Sequence, residues 1–531
     1  MKKIILFIIL LFPIFVRAYS IDLYNIDTDT EYVAPTTELQ KALCKMVEQV
    51  LGTSPMGITD DFFSLGGNSI AVMSFLSEFD DPRLSSSLLY RYPSPGALAV
   101  YCEKESINGL SGRTDRISYI REQAQKQRER YDTSESFPAF YASSQGTEDN
   151  MIRNVLWNPE ISFTLREAPD PVRLQTAVDR AVRSCPYVGL SIEKKEGLLY
   201  FKKNALPLLV FTKEKNDSLR VFGSDEENRH YARVTLSGRK VIFSISHAIT
   251  DGYGFNCFIQ AVLDYYFGKE ETRYKGADSP DYAADLMEFP LPLSGKQALP
   301  DPVPESHFVI PEIQNMQRIT PRMFRASIPV SVMNAFMKHC RVGAQTAVSY
   351  LLALTVMRVH PENRLPISIR GPVNTRRIFG VPDSFQNASV PHVYLCADPE
   401  ALSGTDHTCL LSEMQESFER QLSFENLANE TNRMSEALRF GDPEEFARTV
   451  KAYGMKTGLL ANYMGEIISD DLNGCIDETA VRLPAPFPIA VYAFNMGEQT
   501  HFEMVLTFPG DAYAEAFKNL LEEIKDGDYH D

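Results

Sequence analysis

Three side chains in this 531-residue sequence have the type and setting to do chemistry: the hydroxyl of Ser69, the imidazole of His247 and the carboxylate of Asp251. His247 stands in Ser246-His247-Ala248-Ile249-Thr250-Asp251-Gly252-Tyr253-Gly254, directly after the apolar run Val241 to Ile245. An imidazole titrates near neutrality, so it can accept the proton of an attacking amine or hydroxyl. Asp251 precedes a glycine where the chain turns into the apolar stretch Phe255 to Phe267. A carboxylate buried there needs a cationic partner, because an unpaired buried charge costs several kcal/mol. Ser69 closes Asp60-Asp61-Phe62-Phe63-Ser64-Leu65-Gly66-Gly67-Asn68-Ser69. The glycine pair permits a tight turn, and a serine opening the next helix faces unpaired N–H groups and the positive end of the helix dipole. A phosphate on its oxygen is favoured at such a place.

The elements that must position these groups can be read from spacing. Thr36-Thr37-Glu38 caps a helix whose apolar residues fall at 39, 43, 46, 47, 50 and 51, ending at Gly52. A second helix is predicted from Ser69, and a third amphipathic stretch, Leu84 to Tyr101, is interrupted by Tyr92-Pro93-Ser94-Pro95. Three or four helices in so short a segment make a small bundle. Residues 105–134 are polar and charge-dense, with Arg116, Arg121, Glu122, Lys126, Arg128, Glu129 and Arg130, and read as a solvated, partly helical linker. From Phe137 onward strands and helices alternate. Strands are predicted at 241–246, 325–330, 366–369, 490–494 and 502–508, and helices at 255–267, 332–340, 344–357 and 514–524. The Pro- and Ser-rich residues 280–306 join two lobes.

Composition narrows the function. Hydrophobic residues make up 44% and charged residues 23%, a globular balance. The net charge of −17, without a basic stripe, disfavours nucleic-acid binding. Eight cysteines without C-x-x-C spacing form neither a zinc set nor a disulfide framework, and no metal site is expected. Residues 1–20 stand apart: Lys2 and Lys3 precede the apolar run Ile4 to Val16, broken by Pro13 and followed by Arg17, Ala18 and Tyr19. The run is shorter than a bilayer span and has the layout of a signal peptide or anchor.

The segment around Ser69 resembles the peptidyl and acyl carrier domains of nonribosomal peptide synthetases, with their D-x-F-F-x-L-G-G-x-S signature. Asp60, Phe62, Phe63, Leu65, Gly66, Gly67 and Ser69 occupy its places. Tyr32-Val33-Ala34-Pro35 resembles the junction ahead of such carriers, and Leu89-Tyr90-Arg91-Tyr92-Pro93 a later helix. The resemblance spans 31–104 and implies a 4′-phosphopantetheine arm on Ser69. The His247 segment resembles the H-H-x-x-x-D-G motif of condensation domains and the H-x-x-x-D-G of related acyltransferases. Ser246 replaces the first histidine, as is usual in the O-acyltransferase branch. Lesser matches lie at Pro280-Asp281-Tyr282-Ala283, Pro372-Val373-Asn374-Thr375-Arg376-Arg377 and Phe385-Gln386-Asn387. This second resemblance covers 137–531 and implies two chloramphenicol-acetyltransferase-like lobes, 135–310 and 311–531, with a tunnel between them.

The expected fold is therefore α+β and multidomain: a small four-helix carrier bundle followed by a two-lobed α/β acyltransferase. The family motif implies His247 as general base or orienter of the nucleophile, with Asp251 and Gly252 shaping its loop and Arg183, the first Arg of an R-H-x-x-L-R-like region, as the partner of Asp251, Arg376 being the next candidate. The expected activity is transfer of a carrier-bound acyl or aminoacyl thioester to an amine or hydroxyl. Two rivals stay open: an O-acyltransferase using acyl-CoA, and an idle docking module for a loaded carrier. No adenylation or thioesterase motif is seen. The expected partners are a phosphopantetheinyl transferase, a separate adenylation or acyl-loading enzyme, and an acceptor molecule or second carrier. Because arm attachment uses coenzyme A, a cytoplasmic location is expected, with anchoring or export through residues 1–18 as the alternative.

Overall fold

A computed structural model describes residues 32–527 except 52, 63, 66–74, 76–85, 106, 108–110, 145–152, 154–157, 196–197, 213–220, 273, 275, 295–298, 301, 314–320, 387–391, 405, 441–456 and 483–486. The chain divides into two compact units, Met1–Asn108 and Gly109–Asp531. Residues 1–31 and Ser69, with the helix predicted from it, lie outside the described residues. Among the described residues no single helix is long and apolar enough to cross a membrane.

The first unit shows helices α1 (Glu38–Leu51), α2 (Ser86–Arg91) and α3 (Pro95–Lys104). A capping box starts α1: the Thr37 hydroxyl accepts from the Gln40 N–H at 3.1 Å, and the Gln40 amide oxygen accepts from the Thr37 N–H at 3.2 Å. Its apolar spacing buries Leu43, Cys44, Met46 and Val47. Ser94 caps α3, with Pro95 preorganised at its first position.

The second unit opens with α4 (Ser111–Thr133), β1 (Ser136–Pro138), α5 (Phe140–Ser144), β2 (Glu160–Leu165), α6 (Pro171–Ser184), β3 (Leu190–Lys195), β4 (Leu198–Lys203), β5 (Val210–Thr212), β6 (Ala232–Ser237), β7 (Lys240–Ile245) and α7 (Gly252–Tyr266). It continues with β8 (Arg322–Pro329), α8 (Val330–Cys340), α9 (Ala344–Val359), β9 (Ile367–Pro372), β10 (His392–Ala397), α10 (Pro399–Leu402), α11 (Thr408–Gln421), α12 (Phe424–Phe440), β11 (Leu459–Glu466), β12 (Ile476–Arg482), β13 (Ile489–Met496), β14 (Gln499–Leu506) and α13 (Ala512–Asp526). A six-stranded mixed sheet runs β10-β9-β11-β13-β14-β8, and its helix α9 is buried along most of its length, which leaves no amphipathic stripe. A five-stranded sheet runs β12-β2-β7-β6-β5, and β1-β4-β3 form a third.

Two expectations change. The predicted linker 105–134 is for most of its length α4, part of the second unit. Arg116, Ile120, Ala124, Gln127 and Tyr131 repeat at helical spacing and are all buried. Its charge-dense faces conceal that narrow stripe. The lobes are also not cleanly divided at 310: β12, from the C-terminal half, pairs antiparallel with β2 and completes the N-terminal sheet.

Candidate functional site

Strand β7 delivers the motif loop. The Ser246 N–H donates to the Tyr231 carbonyl at 2.7 Å, and the Ser246 hydroxyl accepts from the Ala248 N–H at 3.3 Å. The serine standing where longer motifs carry a first histidine is fully buried and shapes the turn. The His247 N–H donates to the Asn158 side-chain oxygen at 2.9 Å. The His247 ring keeps partial exposure, but its Nδ1 is buried without a hydrogen-bond partner. Burial holds the imidazole below the usual histidine range, against the opposing pull of the Asp251 charge and the Thr250 backbone. Burial therefore favours the uncharged form of the ring, the form that can accept a proton.

Asp251 caps α7, its Oδ1 accepting from the Gly254 N–H at 3.1 Å. Both carboxylate oxygens also face Arg376, whose Nη1 and Nη2 donate at 2.7 Å each. Arg376 is 1% exposed, and its Nε donates to the Ser384 carbonyl at 2.6 Å. Burial alone would raise the Asp251 pKa, but the adjacent guanidinium outweighs it and holds the carboxyl below its usual range. Arg376 thus fills the place expected for Arg183. Arg183 sits on an exposed position in the last turn of α6, while Arg376 enters from a crossover segment, 373–386, that follows β9. The correction has a simple cause: a cation for a helix-capping carboxylate must come from a neighbouring element with its own stem buried, and sequence proximity to an Arg-rich helix carries no such information.

Gly252 is exposed, and a Cβ added there would meet nothing within 4 Å, so its side borders open space. The glycine that packing demands is Gly254, where a Cβ would fall 1.9 Å from the Thr250 hydroxyl oxygen. Thr250, Gly254 and Asn158 escaped the sequence reading. Thr250 is fully buried and donates to the Phe385 carbonyl at 2.5 Å. Tyr187 donates to the Gly254 carbonyl at 2.5 Å and stacks on Phe385 at 5.0 Å. The crossover segment therefore grips the loop twice, through Arg376 in front of α7 and through Phe385 behind it. The signal available was the run of polar and small residues inside the motif, Thr250 and Gly254, whose types suit backbone contacts.

In the first unit the described part of the signature accounts for its own residues. Phe62 and Phe75, each 1% exposed, pack edge to face at 5.8 Å. Asp60 accepts from the Gly57 N–H at 2.7 Å. These residues build the frame around the signature, and an aliphatic hydroxyl such as that of Ser69 is the acceptor a phosphodiester link requires.

Comparison with known proteins agrees with this division. Residues 41–102 match the family model of the phosphopantetheine attachment site, whose cofactor is covalent 4′-phosphopantetheine. Tyrocidine synthase 2 of Brevibacillus parabrevis is 30% identical over 164 residues, 29% of this chain and 4% of that protein. The chain thus spans a small fraction of that relative's length. The fold of the second unit is shared with TRI101 of F. graminearum, solved with coenzyme A and T-2 mycotoxin, at a TM-score of 0.51 and 11% identity over 72% of this chain and 96% of that one. It is also shared with the nonribosomal peptide synthetase FmoA3, at a TM-score of 0.50 and 12% identity over 74% of this chain and 45% of that one.

Proposed function

For a chain that joins a phosphopantetheine carrier domain to a unit of condensation-domain and acyltransferase fold, we propose transfer of an acyl or aminoacyl group from a thioester to an amine or hydroxyl. The observation that carries this reading is the half-buried His247 on a loop locked by the doubly bonded Asp251–Arg376 pair. Ser69 is the proposed attachment residue; the group bound there supplies a thiol that can hold the acyl chain as a thioester. His247 Nε2 takes the proton of the nucleophile as the new C–N or C–O bond forms. The C–S bond breaks, and that proton is returned to the departing thiolate. Proton transfer of this kind contributes roughly 10²–10⁴-fold. Asp251 has both oxygens engaged by Arg376 and acts as a support, not as a base.

A phosphopantetheinyl transferase and a separate loading enzyme are the proposed partners, and the cytoplasm, where coenzyme A is available, is the proposed place of work. Direct use of acyl-CoA is a second reading, favoured by Ser246 in place of the first histidine and by the fold shared with a protein that binds coenzyme A. The test loads the wild type, Ser69→Ala and His247→Ala with a phosphopantetheinyl transferase and an acyl-CoA, followed by intact mass and acceptor acylation. The expected outcome is one arm on the wild type and on His247→Ala, none on Ser69→Ala, and transfer at least 100-fold slower in His247→Ala. Transfer at the wild-type rate by His247→Ala overturns the catalytic role. Transfer by Ser69→Ala from free acyl-CoA would establish the second reading.

A further inference from the structure

Helix α4 does more than connect. Near its start, Arg116 pairs with Glu425 on α12 at 3.0 Å. One turn on, Arg121 Nε donates to the Gly380 carbonyl at 3.1 Å, and a Cβ at Gly380, whose φ is +73°, would lie 2.6 Å from Ile117. Further along, Gln127 exchanges two hydrogen bonds of 3.0 Å with the Asp285 backbone, and Arg128 donates to the Ala277 and Ser279 carbonyls. At its end Tyr131, 8% exposed, packs edge to face on Tyr282 at 5.6 Å and against Phe385 at 6.5 Å. The Phe385 N–H donates to the Tyr282 carbonyl at 3.0 Å, so Tyr131 backs both partners of that bond. Gly380 and Phe385 belong to the crossover segment that carries Arg376 and receives the Thr250 hydroxyl.

From these contacts we infer that Tyr131 is a positioning residue for His247, acting through Phe385 and Thr250. The crossover segment grips the motif loop at Thr250 and Asp251, on the C-terminal side of His247. Helix α4 fixes that segment from behind at Gly380 and Phe385. The chain that leaves the carrier unit therefore enters the second unit as the backing of its motif loop. This inference rests on the reading of His247 as the reactive group, but its test needs no acyl donor.

The full-length protein is treated with diethyl pyrocarbonate from about pH 5 to 8, and carbethoxylation of His247 is followed by peptide mass across the range in which histidines titrate. The charged groups beside the ring are Asp251 and, behind it, Arg376. In the wild type the midpoint is expected below the ordinary histidine range, because burial disfavours the charged ring. Tyr131→Leu should free the loop, move the midpoint up toward about 6.5 and speed modification several-fold. Tyr131→Phe should behave as wild type, and Arg121→Ala should shift the midpoint in the same direction by less. Tyr513→Leu, a truncation of a 2%-exposed side chain on α13, serves as a control for general destabilisation. An unmoved midpoint in both Tyr131→Leu and Arg121→Ala, or an equal shift in Tyr513→Leu, overturns the inference. If transfer proves absent while the midpoint shifts as stated, the proposed function fails and the positioning role stands.

Discussion

Two buried arginine–carboxylate pairs tie distant parts of the second unit together, and they differ in what lies beside them. Arg376–Asp251 is doubly bonded, and its carboxylate caps the helix that starts at Gly252, directly after the motif turn. In Arg116–Glu425 the Nη1 meets one carboxylate oxygen at 3.0 Å, with Glu425 also accepting from the Ser294 N–H at 3.0 Å and Arg116 lying over the Phe424 ring at 4.6 Å. Both pairs are mostly shielded from water, with side-chain exposures of 1% and 19% in the first and 8% on each side in the second. In such settings the desolvation of both ions offsets much of their attraction, so neither pair is explained by stability alone. The first pair shapes the loop that carries the His247 imidazole. The second fastens the front of α4. The same chemistry thus serves chemistry in one place and attachment in the other.

The largest expected effect separates the two. Asp251→Asn leaves the buried Arg376 charge without its counter-ion, and the expected loss is about 3 kcal/mol, read by urea unfolding. Transfer should fall by at least 100-fold in the same variant. Retention of wild-type stability would mean that Arg376 finds another anion. Arg116→Met should cost less, about 2 kcal/mol, because Glu425 keeps the Ser294 N–H. Its expected turnover at saturating donor lies within about twofold of wild type, as a support far from the loop requires; a larger fall would erase the distinction drawn between the pairs.

The smallest effect is the pH dependence. The Asp251 pKa is lowered on folding, so its contribution is present above the unfolded carboxyl value and is lost as pH falls through the folded value. The His247 pKa is lowered too, so the unfolded chain binds that proton first, and stability declines as pH falls below about 6.5. Unfolding midpoints measured at pH 7 and 5.5 should therefore drop more in the wild type than in His247→Ala. Buried His230, also held below its usual range, contributes equally to both proteins and cancels in the comparison. An identical drop in the two would show that the His247 ring is not desolvated as described.

Local chemistry was legible in the sequence where it depends on neighbours a few residues apart. The hydroxyl cap of α1, the strand ahead of His247 and the helix behind Asp251 all follow from short-range patterns, and they stand within a few residues of their expected bounds. The need of Asp251 for a cation followed from electrostatics, but the order of the two candidates did not: Arg183 stood first and Arg376 second, and the structure pairs Asp251 with Arg376. Arg183 and Arg376 look alike as residue types; only the path of the crossover segment buries one beside Asp251 and leaves the other in solvent. Helix α4 was misjudged for a related reason. Most of its surface is charged, and the few positions that decide its packing include Arg116 and Gln127, whose burial depends on Glu425 and Asp285 arriving from far along the chain.

The strand β12 bears on how such a protein is made. It hydrogen-bonds to β2 along the edge of the N-terminal sheet, and its Val481 N–H donates to Glu503 on β14 at 2.9 Å. Roughly 310 residues of chain separate the end of β2 from the start of β12. At about 5–20 residues per second on the ribosome, the N-terminal sheet waits roughly 15–60 s with that edge unpaired. An open strand edge invites pairing with other chains. During synthesis this protein therefore presents a long-lived sticky edge, and a chaperone that covers extended backbone should raise its soluble yield more than it would for a protein whose sheets close in order of translation.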